Sequence, residues 1–321
     1  MARPFFFVVT FALHLRIPQQ IKSMNTRLLA LVLLLLTTLV INAPLFAQEN
    51  SSKVDSTANM WKPEVVGKLA GSQAGFQNWA EGGVNTLVFT VGIDGKAERQ
   101  SSNWKQKITS KLSFGLVKQD TLAFRKAEDL IRITATFGYT GKGFLDKLRP
   151  TIAFQARTQF APGFNFEKNP FGDGRKPPVK VSDFMSPGTF TQSIGLAYQV
   201  RPWISQRLGI GGKETVVMLK DLRTLYTLNR DETVRLEIGL EAFTDIDKEI
   251  FKNVFLKSTL GLFAAFNKPE SPDFIWENVL NMKVNSWLQV NFEWSALYDS
   301  DISSKAQLKE VFSVGISYHI I

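Results

Sequence analysis

From Glu64 to the C-terminus, apolar and polar residues alternate with a period of two in segment after segment. The last two segments show it best. Leu288, Val290, Phe292, Trp294, Ala296 and Tyr298 fall on one side, and Gln289, Asn291, Glu293 and Ser295 on the other. After a polar loop from Asp299 to Leu308 the pattern returns, with Phe312, Val314, Ile316, Tyr318 and Ile320 against Ser313, Gly315, Ser317 and His319. Successive strand residues face opposite sides of a sheet, so each segment has one apolar and one wet face. Length separates the ways of burying such a face. A tilted strand crosses a bilayer in roughly 9 to 11 residues, whereas soluble strands average about 5 to 6. Both segments fit the membrane figure, and a long final strand suits a closed barrel in which last pairs with first and no edge is left in lipid.

The same alternation runs through Thr86–Arg99, Asn103–Lys118, Asp129–Thr140, Arg149–Phe160, Phe190–Val200, Thr233–Thr244, Val254–Phe266 and Phe274–Val284, and more weakly through the Gly-rich Glu64–Ala74. Trp203–Asn229 reads as three short strands broken at Gly211-Gly212 and Asp221. The expectation is an all-β fold: a transmembrane antiparallel up-and-down β-barrel of about 14 strands, with 12 to 16 spanning the alternatives. An even count puts both termini on the periplasmic side. The short connections Arg201-Pro202 and Asn285-Ser286 then fall inside, and 76–85, 161–188, 267–273 and 299–309 outside. Gly141–Leu148 and Asp245–Asn253 also fall inside and are long for periplasmic turns.

An address precedes the barrel. Leu28–Leu36, continuing to Ile41, is an apolar run behind Arg27 that leads to Ala43-Pro44-Leu45-Phe46-Ala47, the pattern of a secretory signal cut after Ala47. Met24 stands where such a signal would start, so residues 1–23 read as a non-native extension. Residues 48–63 read as a polar periplasmic tail and 64–321 as the barrel. Losing residues 1–47 removes Arg3, Arg16, Lys22 and Arg27 and no acid, so the net charge falls from +9 to +5. With cations scattered over many strands, that balance does not point to nucleic acid. The chain has no Cys, which excludes a disulfide framework, a thiolate metal site and a lipidated Cys after the signal.

Chemistry-bearing residues follow the polar strand faces. Lys105, Lys107, Lys111, Arg132, Arg157, Arg235, Glu237, Glu241, Lys257, Glu277, Lys283 and Glu293 are candidates to line a lumen, since Lys or Arg on the lipid face costs about 2 to 4 kcal/mol at the midplane. They either border a water-filled path or pair across a blocked interior. The motif containing Asn78, Trp79, Gly82 and Gly83 reads first as a tight turn with Trp79 at an interface, and second as a ligand contact. Catalysis has little support, because His319 stands alone on a polar face and Glu237 and Glu241 form an ordinary polar lining. Asp299 and Asp301 read as a polar surface turn that lacks the spacing of a calcium loop. The basic loop 161–188 carries five Pro together with Phe164, Phe166 and Phe171. Those rings predict that it folds inward or over the mouth, packs them on the barrel and presents Arg175, Lys176 and Lys180 to anions; the alternative is a mobile external loop.

Taken in order, Gln77–Gly83, Glu128-Asp129-Leu130, Thr158-Gln159-Phe160, Ser182–Pro187 and Tyr298–Ile302 resemble a family of uncharacterised outer-membrane proteins of Gram-negative bacteria, domain of unknown function 3078. The resemblance covers roughly Trp61 to the C-terminus. It implies a barrel and an outer-membrane location and supplies no catalytic residue, ligand or partner. The chain is thus expected to be a non-enzymatic, porin-like barrel, a channel or binding protein for a small solute. The alternative is a structural or adhesive barrel acting through its outer loops. Expected partners are outer-membrane lipid, the barrel-insertion machinery and a small solute, with no cofactor, metal or nucleic acid. The terminal Ile321 departs from the terminal Phe common in such chains.

Overall fold

The computed structural model describes residues 60–75, 84–141, 143–302 and 305–321. The expected signal segment, most of the expected tail and the Asn78–Gly83 motif lie outside the described residues. The strands are β1 (Lys62–Ala74), β2 (Thr86–Gln100), β3 (Trp104–Gln119), β4 (Arg125–Tyr139), β5 (Leu148–Thr158), β6 (Gly163–Asn165), β7 (Val179–Ser182) and β8 (Gly188–Arg201), then β9 (Ile204–Val216), β10 (Val234–Phe251), β11 (Val254–Ala265), β12 (Asp273–Lys283), β13 (Leu288–Tyr298) and β14 (Gln307–His319). Twelve of them close an antiparallel barrel, and β6 and β7 form a separate hairpin in the loop after β5. Every barrel strand pairs with its chain neighbours, and the barrel shuts where Val66–Gly71 of β1 meet His319–Val314 of β14. Backbone bonds continue the closure, Val65 N–H to Ile321 O and Ile320 N–H to Val65 O.

The count is 12, at the low end of the expected range, and the difference from about 14 arises entirely in Trp203–Asn229. That region forms one long strand, β9, followed by a 3-10 helix at Lys220–Tyr226. Gly211-Gly212 is not a break: both residues lie in continuous register with β8 and β10. Glycine inside a strand marks close backbone approach as readily as an end. Two strands fewer keeps the parity even, so both ends of the barrel chain stay on the side of the short connections 101–103, 202–203, 252–253 and 284–287. The inside connection that looked long, Asp245–Asn253, is mostly strand, because β10 continues to Phe251. Gly141–Leu148 remains a longer connection and holds α1 (Phe144–Lys147).

The apolar faces point outward. Ile194, Leu208 and Phe312 are 70%, 66% and 61% exposed, whereas Gln289, Asn291 and Lys213 are under a tenth exposed and face inward. A continuous outer belt of Leu, Ile, Val and Phe far exceeds the patches that water-soluble monomers tolerate. Aromatic residues gather near the ends of the strands. Trp104 and Tyr139 meet edge to face at 5.4 Å at the short-turn end, where Lys248 also lies over Trp203 at 4.3 Å. Trp276 and Trp294 meet at 4.4 Å toward the opposite end. Such girdles mark the two water interfaces of a bilayer. No helix among the described residues is long and apolar enough to cross a membrane, so the crossing is made by strands.

Candidate functional site

Register places all twelve candidate residues of the polar faces on the inward side, and the fold sorts them into three levels. Toward the short turns, Lys105, Lys107, Lys257 and Lys283 line an exposed end of the lumen. Lys107 and Lys257 approach Glu98 and Asp247 only to 3.9 Å, and Lys283 lies 4.8 Å over the Phe255 ring. His319 is exposed here, 3.9 Å from Glu64.

The middle level is crossed by charge. Arg132 on β4 donates to both carboxylate oxygens of Glu277 on β12, at 2.6 and 2.5 Å. Five strands separate β4 from β12 in either direction around the barrel, so this pair spans opposite walls. Lys111 on β3 reaches Glu293 on β13 at 3.4 Å, and Lys309 on β14 contacts Glu128 on β4. A round barrel of twelve strands, spaced about 4.8 Å and tilted about 40°, would be roughly 24 Å across between backbones. That is beyond the joint reach of one arginine and one glutamate. The section is therefore flattened along the β4–β12 direction, with its sharp ends near β9 and β1. Inward glycines sit at both ends: a Cβ on Gly195 would run into the Leu208 carbonyl oxygen at one, and on Gly315 into that of Leu69 at the other. Beside the bridges, near β1, a cavity of about 120 Å³ is lined by Lys68, Asp94, Lys111, Ser113, Asn291 and Glu293. It has room for a few waters.

The outer level brings the candidates Arg235, Glu237 and Glu241 together with Lys213, which was not among the candidates. Lys213 on β9, only 6% exposed, lies 3.2 Å from Glu237 and 3.3 Å from Asp299, and contacts Asp273. Arg235 pairs with Glu237 at 3.3 Å and Asp301 at 3.1 Å, and Lys268 joins Ser300 at 2.8 Å and Asp301 at 3.5 Å. Below them Arg207 contacts the buried Glu241. Asp299 and Asp301 are thus not a solvated surface turn, because Lys213 on β9, Arg235 on β10 and Lys268 after β11 hold their loop in ion pairs. Lys213 hid behind Gly211-Gly212, although Ile204–Ile210 already alternates correctly.

Above this level two loops fold together. Val217, Leu222, Tyr226 and Leu228 form a small buried core, joined by Phe171 from the loop between β5 and β8. Tyr226 donates to the Val181 carbonyl at 2.8 Å, and burial pushes its phenol up to about 12. The expectation for loop 161–188 is corrected in part. Phe171 packs on the neighbouring loop rather than on the barrel. Phe166 lies under the Arg125 guanidinium at 4.0 Å, and Phe164 is partly exposed. Its cations are largely neutralised, Arg175 by Asp173 at 2.6 Å and Lys180 by Asp183 at 2.8 Å, so they are not bare charges offered to solutes.

The recurring motifs meet where this loop leaves the barrel. Asp129, its side chain 2% exposed, accepts from the backbone N–H of Phe160 at 2.7 Å and Ala161 at 2.9 Å, and from Lys126 at 2.9 Å. The Gln159 amide donates to the Asp183 carbonyl at 2.9 Å, and Met185 N–H donates to the Thr158 hydroxyl at 2.9 Å. Widely separated motifs are thus one anchor for the cap.

A closed barrel with a lipid-facing belt, aromatic girdles and a polar charged interior defines an outer-membrane β-barrel. Residues 72–164 match the family described as a protein of unknown function, DUF3078, the family to which the ordered motifs point. No curated protein matches the chain. Among solved structures it is similar to the translocator domain of the autotransporter NalP from Neisseria meningitidis, with 10% identity, a TM-score of 0.34 and coverage of 92% of this chain and 96% of that one. The COG4313 outer membrane channel from Pseudomonas putida F1 shares 9% identity at a TM-score of 0.36, over 84% of this chain and 99% of that one. The NanC porin shares 9% at 0.34, over 78% and 97%.

Proposed function

We propose that the protein is a narrow channel or binding barrel for a small polar solute in the outer membrane, closed at rest by ion pairs. The Arg132–Glu277 bridge between opposite walls carries this reading. A barrel that needed only filling could be packed with apolar side chains without desolvating charges. A pair in a partly wet lumen can instead be separated, because water or a polar solute replaces each partner. The small polar cavity beside the bridges and the cation-rich vestibule at the short-turn end support the same reading. The twelve candidate residues are its proposed lining, and no catalytic role is proposed for any of them.

The outer cap favours a second reading, a structural or adhesive barrel, because two loops that share a core present a formed surface. Single-channel recording of the refolded protein in planar bilayers separates the two. Discrete open steps, lengthened when the bridge is weakened, support the channel. Silence from both the wild type and a bridge variant that is folded on a heat-modifiability gel supports the structural barrel.

A further inference from the structure

Around the middle level, four cations, Lys111, Arg132, Arg157 and Lys309, share the lumen wall with three carboxylates, Glu128, Glu277 and Glu293. The carboxylates are taken one to one, by Lys309, Arg132 and Lys111 respectively. Arg157 is left over. It stands directly across the β4–β5 ladder from Arg132, and no carboxylate among the described residues comes within ion-pair distance of it. Glu277, the acid that could serve it, has both oxygens engaged by Arg132.

A second donor nearby also lacks an acceptor. Arg132 uses its two terminal nitrogens on Glu277, and its Nε–H is buried without a hydrogen-bond partner. On the other side of Arg157, Thr189 is its register partner on β8, with Thr191 one step along the same inward face. Both threonines are half-buried and bring hydroxyls that can donate. Two guanidinium groups with idle N–H, flanked by hydroxyls, form a donor-rich cluster. An arginine fork matches the geometry of an oxyanion.

We propose that Arg157, with the Nε–H of Arg132 and the hydroxyls of Thr189 and Thr191, is an oxyanion-binding site in the lumen, taking the carboxylate or phosphate group of a small solute. The inference rests on the reading of the lumen as a solute compartment and names the chemistry of that solute. Occupation of the site would also weaken the closing bridge, since an anion beside Arg132 competes with Glu277 for the same guanidinium.

Calorimetric titration of the refolded, detergent-solubilised barrel with inorganic phosphate and, separately, with succinate tests this without requiring conduction. Wild type should bind at least one of the two. Arg157→Gln should weaken that binding at least tenfold, Arg157→Lys should weaken it less, and Lys252→Gln, in the exposed turn between β10 and β11, should leave it unchanged. Phosphate alone binding assigns an inorganic phosphate or phosphoryl group, and succinate alone assigns a carboxylate. Should Arg157→Gln fail to refold, Arg157→Lys and Thr189→Val decide, each expected to weaken binding severalfold. Absence of binding to wild type, or equal binding by the folded Arg157 variants, overturns the proposal. Binding with electrical silence would instead remove the channel reading and leave the site standing, whereas conduction without anion binding would do the reverse.

Discussion

Replacing Glu277 with Gln tests the closing bridge with almost no change in shape. The pair consists of two short charge-assisted hydrogen bonds between side chains only 18% and 26% exposed. Gln can still accept from one guanidinium N–H but turns its own N–H₂ toward the other. One charged hydrogen bond and the ionic attraction are lost, a loss of about 1.5 to 3 kcal/mol for a buried group. The lumen is partly wet, so the figure falls to about 1 to 2 kcal/mol. If opening requires the walls to part at this pair, the open fraction in planar bilayers should rise roughly 5- to 30-fold. The double variant Arg132→Gln/Glu277→Gln should add little further, because either change alone already removes the interaction. A folded Glu277→Gln barrel whose open fraction equals that of wild type would refute the bridge as a gate.

Three further outcomes follow from the fold. Phe292 faces outward between Leu280 and Phe312, so Phe292→Arg should destabilise the barrel by about 2 to 4 kcal/mol; Ser295→Arg, whose cation would lie beside Glu277 on the inner face, should cost far less, and equal urea midpoints would show the faces to be wrongly assigned. Asp129→Ala strands the N–H groups of Phe160 and Ala161, at a local cost of about 1 to 3 kcal/mol for each buried group left unpaired; limited proteolysis should then cut within 161–187 while the barrel stays folded, and unchanged resistance would count against the anchor. The Tyr226 phenol, pushed up to about 12 in the cap against about 10 when exposed, favours the folded cap while protonated. Its contribution is full below pH 10 and is lost as pH rises through about 12. Tyr226→Phe should remove that component from the alkaline rise in protease sensitivity, and an identical pH profile for variant and wild type would contradict it.

Much of the architecture follows from the sequence alone, because period-two alternation over long segments leaves few folds open. The faces of β13 and β14 were legible residue by residue: a one-residue slip would turn Phe292 and Val314 inward and Asn291 and Ser313 into lipid. Parity and sidedness followed from the same pattern. The region that misled was Trp203–Asn229, where Gly211-Gly212 has the local signature of a turn. Whether glycine ends a strand or lets it bend depends on the curvature of the sheet around it, and only the closed, flattened barrel supplies that. Pairing was likewise beyond local reading. Arg132 and Glu277 are separated by 145 positions, and alternation says only that each faces inward. Which walls approach each other depends on the shape of the section, and so does the fact that Arg157 is left without a carboxylate. The cap shows the same division: the Phe-rich loop announced that it would bury something, but only the tertiary structure chose the loop after β9 over the barrel. Apolar burial is non-directional and takes the nearest apolar surface that folding brings within reach.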